Sequence, residues 1–245
     1  MRRTKIVATL GPASHEPGVI DALIEEGADV LRLNFAHGDP TFHKETVARV
    51  RAAAERNERV VGILGDLPGP KMRTGPIAGG EVLLEAGQSF LLRSGYDTGD
   101  ETACCTTVTG LDRLVATGEE IFLADGQIVL EVGAIESGTV HTQVVRGGVL
   151  RSGKGLHIPG AERKVDAFTA RDEEALSTAV ELGVDFIGLS FVRGKEDLER
   201  VREKLQSYEQ VPALLAKIET RAAVENLDEI VSSADAVMVA RGDLG

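Results

Sequence analysis

The sequence predicts an α/β fold interrupted by an all-β insert. Three observations carry that reading. Short β-rich runs alternate with helix-like segments at the start of the chain. The alternation stops between about Thr74 and Gly153, where only short β-runs punctuated by Gly, Asp and Ser remain. It resumes after Pro159-Gly160. A βαβα rhythm implies a parallel sheet covered by helices, and the β-only texture implies a separate small domain.

The elements follow in order. Lys5–Leu10 is a strand, and Pro17–Glu26 a helix with Val19, Ile20, Leu23 and Ile24 on one stripe and Gly27 as its stop. Val30–Phe35 is a strand, Thr41–Arg56 a long helix rich in Ala, Glu and Arg, and Val60–Leu64 a third strand. The insert holds β-runs at Glu81–Leu84, Ser89–Leu92, Glu120–Leu123, Ile128–Val132 and Val140–Val145. Beyond it, Thr169–Leu182 is a helix whose Thr169 and Asp172 form an N-terminal box. Then come strand Phe186–Phe191, helix Lys195–Tyr208, strand Pro212–Ile218, helix Arg221–Ser232 and strand Ala236–Ala240. Six α/β strand candidates fit either part of an eight-stranded barrel or an open doubly wound sheet.

Composition narrows the function classes. A chain of 245 residues buries enough surface to fold without staples, and 42% apolar with 27% charged residues is ordinary for a globular protein. A net charge of −12 argues against a nucleic-acid binder, which needs a basic footprint. It leaves anionic small molecules open, because local cations override the net sign. No apolar run reaches the ~18 residues of a membrane span. The basic start MRRTKIVATLGPAS is broken by Gly11 and Pro12 and reads as a first strand rather than a signal peptide. Cys104 and Cys105 are adjacent, so they read as small buried residues, in keeping with a reducing cytoplasm.

Four strand ends carry polar residues where packing alone calls for apolar ones. Alternation puts Arg32 with Asn34, Lys217 with Glu219, and Arg241 with Asp243 on shared faces, and Asp66 closes a strand ahead of Lys71 and Arg73. In parallel α/β folds the C-terminal strand ends build the site. Glu219 and Asp243 are hard oxygen donors apt for Mg²⁺ or Mn²⁺, and Arg32, Arg73 and Lys217 suit phosphate. A divalent ion beside clustered cations is the equipment of phosphoryl transfer. Interior ion pairing is the plainer explanation for any one pair, and is less economical for four strand ends together. The stretch Gly148–Gly155 approximates a P-loop, but Gly155 replaces the Ser or Thr and no helix follows. Lys154 remains a phosphate contact on a Gly-flanked loop. His15, His43, His141 and His157 have no ligand spacing and read as surface residues; His37 alone lies beside the presumed site. Gly242 offers a backbone N–H without a Cβ in the way.

The strings TKIVATLGPAS, LRLNFAHG, KGLHIPG, FIGLSFVR, LLAKIET, NLDEI and VMVARGDLG resemble the pyruvate kinase family in order and spacing across the whole chain. The resemblance implies a (β/α)8 TIM-type barrel, with about six of its eight strands present, and an inserted small all-β barrel domain. The barrel would comprise residues 1–73 and 154–245, and the lid 74–153. It implies transfer of a phosphoryl group from phosphoenolpyruvate to ADP, giving pyruvate and ATP. Glu219 and Asp243 would hold Mg²⁺ (or Mn²⁺), Lys217 would neutralise the moving phosphoryl group and the enolate, and Arg32 would hold the substrate phosphate. Gly242 and Asp243 would meet the rest of the substrate. Arg73, His37 and Lys154 would contact nucleotide phosphates, and Asn34 and Asp66 match a monovalent-cation site.

Two departures modify that picture. The family's NFSHG and DTKGPEIR read here NFAHG and DLPGPKMR. Ala36 and Leu67 lose hydroxyls, and Lys71 replaces a glutamate, supplying the charge that K⁺ otherwise gives. Independence of K⁺ is the expectation. The family's chain also continues with two more barrel strands and a regulatory domain, so a fragment is expected; the family forms homotetramers, and the fragment's oligomeric state is left open. Two rivals stand beside the kinase. One is a Mg²⁺-dependent lyase or aldolase of the phosphoenolpyruvate/pyruvate barrel group, which shares the IET and NL-E-I context. The other is a catalytically silent fragment.

Overall fold

The computed structural model describes residues 4–95, 97–108, 110–161, 165–242 and 244. The chain opens with β1 (Val7–Leu10), α1 (Pro17–Glu25), β2 (Val30–Asn34), α2 (Pro40–Arg56) and β3 (Gly62–Asp66). The insert follows, with β4 (Glu81–Leu84), β5 (Ser89–Ser94), β6 (Ala103–Thr106), the short α3 (Leu111–Leu114), β7 (Glu120–Leu123), β8 (Ile128–Glu136), β9 (Thr139–Arg146), β10 (Gly148–Arg151) and β11 (Leu156–His157). The α/β rhythm then returns as α4 (Ala170–Glu181), β12 (Phe186–Leu189), α5 (Lys195–Leu205), β13 (Ala213–Ile218), α6 (Arg221–Glu225), α7 (Leu227–Ser233) and β14 (Ala236–Val239).

Two compact units result. The first is Met1–Pro70 with Ala167–Gly245, the second Lys71–Asp166. Residues 154–166, expected in the barrel, group instead with the second unit. Leu156, Ile158 and Ala161 are buried in its core beside Leu123 and Ile128, which accounts for that placement. Lys71 and Arg73 also belong to it.

In the first unit the six strands are parallel and ordered β1-β2-β3-β12-β13-β14. Strand order follows chain order without reversal. A doubly wound sheet reverses at a switch point, so this winding is that of a barrel. Alternation sorts the faces: in β2, Leu31 and Leu33 are buried in the apolar core, while Arg32 and Asn34 point the other way. Ile20 and Ile24 of α1 and Val47, Val50 and Ala53 of α2 complete that layer. Each fully buried Ile contributes about 1.5–3 kcal/mol.

Helix starts are set by local chemistry. Asp39 caps α2 by accepting the Phe42 N–H at 2.9 Å, with Pro40 at the first turn. Thr169 and Asp172 form the expected capping box on α4. The single helix expected over Arg221–Ser232 divides at Asn226, whose backbone leaves the helical region at φ −106° and ψ 24°. Its side-chain NH₂ donates to the Arg193 carbonyl at 2.9 Å.

One device recurs at the N-terminal ends of the strands. Asp29, Asp185 and Asp235 each precede a strand and accept the N–H of a residue at the start of the neighbouring one: Ile6 (2.9 Å), Ile63 (2.6 Å) and Leu214 (2.7 Å). Lys5, Arg51 and Arg202 pair with them at 3.1, 3.0 and 3.1 Å. The strand pairs β1/β2, β3/β12 and β13/β14 are thus pinned alike.

The second unit carries a sheet ordered β11-β7-β8-β9-β5-β6 and the pair β10-β4 around Phe90, Leu92, Ile121 and Leu130. Cys104 and Cys105 are free and buried, and burial raises the Cys104 thiol to about 12. His43 corrects the surface reading. It is 4% exposed and stacks on Phe35 with ring centroids 4.1 Å apart. It lies on the inner stripe of α2, so packing claims it. No helix among the described residues is long and apolar enough to cross a membrane.

Candidate active site

The site is assembled at the C-terminal ends of the parallel strands. Register places Asn34 opposite Asp66 on β2/β3, and Gly188 opposite Asp66 on β3/β12. Gly188 makes room there, since a Cβ on it would stand 3.2 Å from Asp66 Oδ1. Lys217 is the penultimate residue of β13, and Glu219 follows its end.

Four charged side chains form one cluster, three of them buried and Arg32 partly exposed. Arg32 donates from Nε to Asp66 Oδ2 at 2.7 Å, and its terminal NH₂ group contacts the same oxygen. Another Arg32 nitrogen donates to Thr9 Oγ1 at 3.0 Å. Lys217 Nζ lies 3.2 Å from Asp66 Oδ1 and 2.8 Å from Glu219 Oε1. It donates to Ser190 Oγ at 2.8 Å, and Ser190 donates to the Leu67 carbonyl at 2.8 Å. Glu219 Oε2 accepts the Phe191 N–H at 2.8 Å. Asp66, Lys217 and Glu219 are 1%, 7% and 4% exposed, so these charges must be mutually compensated. Two cations against two anions achieve that.

The backbone is shaped to fit. Gly69 takes φ +66°, and a Cβ there would come within 2.6 Å of Ser190 Cβ. Its N–H donates to the fully buried Asp172 at 2.7 Å, tying the loop after β3 to the first turn of α4. Phe191 takes φ +54°, a left-handed conformation that costs a bulky residue of order 1 kcal/mol or more. That turn aims its N–H at Glu219.

The expected residues divide as follows. Arg32, Asp66, Lys217 and Glu219 come together. Asn34, at the end of β2, accepts the Ala36 N–H at 3.0 Å and shapes the loop leading to exposed His37. Gly242 is exposed, and a Cβ added to it would meet nothing within 4 Å. Asp243 lies outside the described residues. In the second unit, Arg73 donates to the Gly153 carbonyl at 2.9 Å, and Lys154 exchanges hydrogen bonds with Thr74 at 2.8 and 3.0 Å. Arg73 and Lys154 therefore share one corner of that unit, and Lys71 is exposed. Sequence reasoning missed Ser190, Thr9 and Phe191 as site residues. A lone Ser or Thr at a strand end carries no signal, and a positive φ in a Phe has none either.

No group of three or more acidic, His or Cys residues with metal-site geometry occurs among the described residues. One observation nonetheless fits a cation. Glu219 Oε1 is buried, and the contact it has among the described residues is the ion pair with the Lys217 ammonium at 2.8 Å. Its partner oxygen is held by Phe191. A carboxylate with one oxygen fixed by a backbone N–H and the other paired with an ammonium is a hard donor of the kind Mg²⁺ takes.

A barrel-wound parallel sheet with an Arg–Asp–Lys–Glu cluster at its strand C-termini has its charges where barrel enzymes build their sites. Comparison with known proteins makes this specific. The family model "pyruvate kinase, barrel domain" matches residues 1–245, and the chain belongs to that family. It is 45% identical to the pyruvate kinase of Thermococcus litoralis over 243 residues, covering 99% of this chain and 51% of that protein. Against the Mycobacterium tuberculosis enzyme identity is 41% over 244 residues, covering 100% and 52%. Against that of Geobacillus stearothermophilus it is 39% over 247 residues, covering 100% and 42%. The chain thus spans about half the length of these relatives.

Proposed function

We propose that the protein transfers the phosphoryl group of phosphoenolpyruvate to ADP, forming pyruvate and ATP. The observation that carries this reading is the Arg32–Asp66–Lys217–Glu219 cluster at strand ends in a chain of this family. Such transfer needs positioning and charge neutralisation more than covalent chemistry.

The roles follow from where the groups lie. Arg32 is oriented by Asp66 and Thr9, and its partly exposed guanidinium receives the substrate phosphate. Lys217 carries a nearly dry positive charge, which gains strength in low dielectric, and it neutralises the phosphoryl oxygens and the enolate left behind. Glu219, joined by Asp243, holds Mg²⁺ or Mn²⁺, which supplies Lewis-acid neutralisation when bound. Gly242 gives an open backbone approach for the substrate carboxylate. Arg73, Lys154 and His37 are the cationic and polar groups assigned to the nucleotide phosphates.

Independence of K⁺ belongs to the same proposal. Both oxygens of Asp66 already face protein cations, and the Asn34 side-chain carbonyl is taken by Ala36. Lys71, standing for the family's glutamate, adds a positive charge in place of a negative one. A coupled assay of ATP formation from phosphoenolpyruvate, ADP and Mg²⁺, run in tetramethylammonium chloride and in KCl, tests both levels. Equal rates are expected in the two salts. Strong activation by KCl overturns the K⁺ statement, and no ATP in either salt overturns the reaction.

A further inference from the structure

We infer that Ser190 is a positioning residue for Lys217, holding the ammonium in place when the carboxylates beside it are engaged elsewhere. The inference deepens the phosphoryl-transfer reading and rests on it for its kinetic consequence. Its geometric content stands apart from that reading.

Lys217 Nζ has three N–H bonds and three close oxygens: Ser190 Oγ and Glu219 Oε1 at 2.8 Å, and Asp66 Oδ1 at 3.2 Å. Of these, the serine contact has hydrogen-bond geometry, while Glu219 Oε1 and Asp66 Oδ1 meet the ammonium as ion pairs. Ion pairing is poorly directional, and both acids have competing partners. Asp66 is bound to Arg32, and Glu219 Oε1 is the oxygen a divalent ion would take. A neutral hydroxyl has no such competitor.

Ser190 is also fixed in its role. Its single proton is given to the Leu67 carbonyl, so its oxygen is left only as an acceptor for Lys217. It is 2% exposed, so water cannot take its place freely. Gly69, lacking a Cβ, is what lets Ser190 sit there. The chain Leu67–Ser190–Lys217 therefore links the ends of β3, β12 and β13, and sets the lysine's position by backbone anchoring. Locking a reactive side chain through such a supporting contact is what preorganisation requires.

The test observes Lys217 itself in the full chain. With ¹⁵N-lysine labelling, an ammonium held by hydrogen bonds exchanges its protons slowly enough to give an NMR signal, assigned by its disappearance in Lys217→Arg. The expected result is a protected Lys217 signal in the unmodified protein that is lost or exchange-broadened in Ser190→Ala. In the coupled assay, kcat of Ser190→Ala is expected to fall about tenfold, as for one lost hydrogen bond, with KM for phosphoenolpyruvate within about twofold. Fast exchange of Lys217 in the unmodified protein overturns the inference, whether or not the variant folds. So does a Ser190→Ala protein that keeps both the signal and its kcat. If the unmodified protein makes no ATP, the phosphoryl-transfer reading fails, and the NMR comparison still decides the position of Lys217.

Discussion

Glu219 accepts a 2.8 Å hydrogen bond from the backbone N–H of Phe191, a residue held at φ +54°. Strained backbone persists only where the surroundings over-determine it, and here the strain is spent on orienting one acid. One oxygen of Glu219 is thereby fixed and the other is turned to Lys217. The site is a set of charges whose directions are imposed by neighbouring groups: the Phe191 N–H for Glu219, Ser190 for Lys217, and Asp66 with Thr9 for Arg32. Substitutions that keep a charge but change its direction therefore have effects of their own.

Arg32→Lys keeps the charge and loses the fork that meets Asp66 and Thr9 together. Losing charged hydrogen bonds of about 1.5–3 kcal/mol raises KM for phosphoenolpyruvate roughly tenfold to hundredfold. Steady-state kinetics checks this. An unchanged KM would mean that Arg32 serves only to balance Asp66.

The aspartates at the opposite strand ends are expected to stabilise the fold without touching catalysis. Asp185→Ala removes the acceptor for Ile63 N–H and is expected to cost about 1–2 kcal/mol, a fall in Tm of roughly 3–6 °C. Asp185→Asn keeps an acceptor and loses a half-exposed ion pair with Arg51, so its cost stays under about 1 kcal/mol. Thermal melts of both variants decide between hydrogen bond and ion pair. Equal losses would assign the effect to charge.

Acid sensitivity is expected at His43. Desolvation by burial lowers its pKa from the ordinary 6.5, outweighing the opposite pull of the His37 backbone and Asp39. The unfolded chain therefore takes up the proton more readily than the folded one. The stability contributed by neutral His43 is complete above about pH 6.5 and is lost as pH falls toward the folded value. Melts of wild type and His43→Phe between pH 7.5 and 5 should show the wild type losing more Tm on acidification. Parallel losses would contradict the assignment.

Much of this is legible in the sequence, for identifiable reasons. Strand alternation puts Arg32 with Asn34 and Lys217 with Glu219 on common faces, because a period of two needs no tertiary information. The capping pair Thr169/Asp172 is readable for the same local reason. The bridging role of Asp66 is not, because it depends on the register of β3 against β2 and β12. Strand β6 escapes notice because Ala-Cys-Cys-Thr lacks β-branched density and is held by pairing with β5. The burial of His43 is hidden because a polar ring on a helix gives no sign of the Phe35 stacked against it.

The most direct measurement is the rate of ATP formation from phosphoenolpyruvate and ADP by Lys217→Met, with folding monitored by circular dichroism. Methionine keeps the length and removes the charge that the proposed reaction needs. The expected result is a folded protein whose kcat is lower by about 10²–10³-fold, as for loss of one preorganised electrostatic contact. A folded Lys217→Met protein turning over within a few-fold of wild type would contradict the role assigned to the buried lysine.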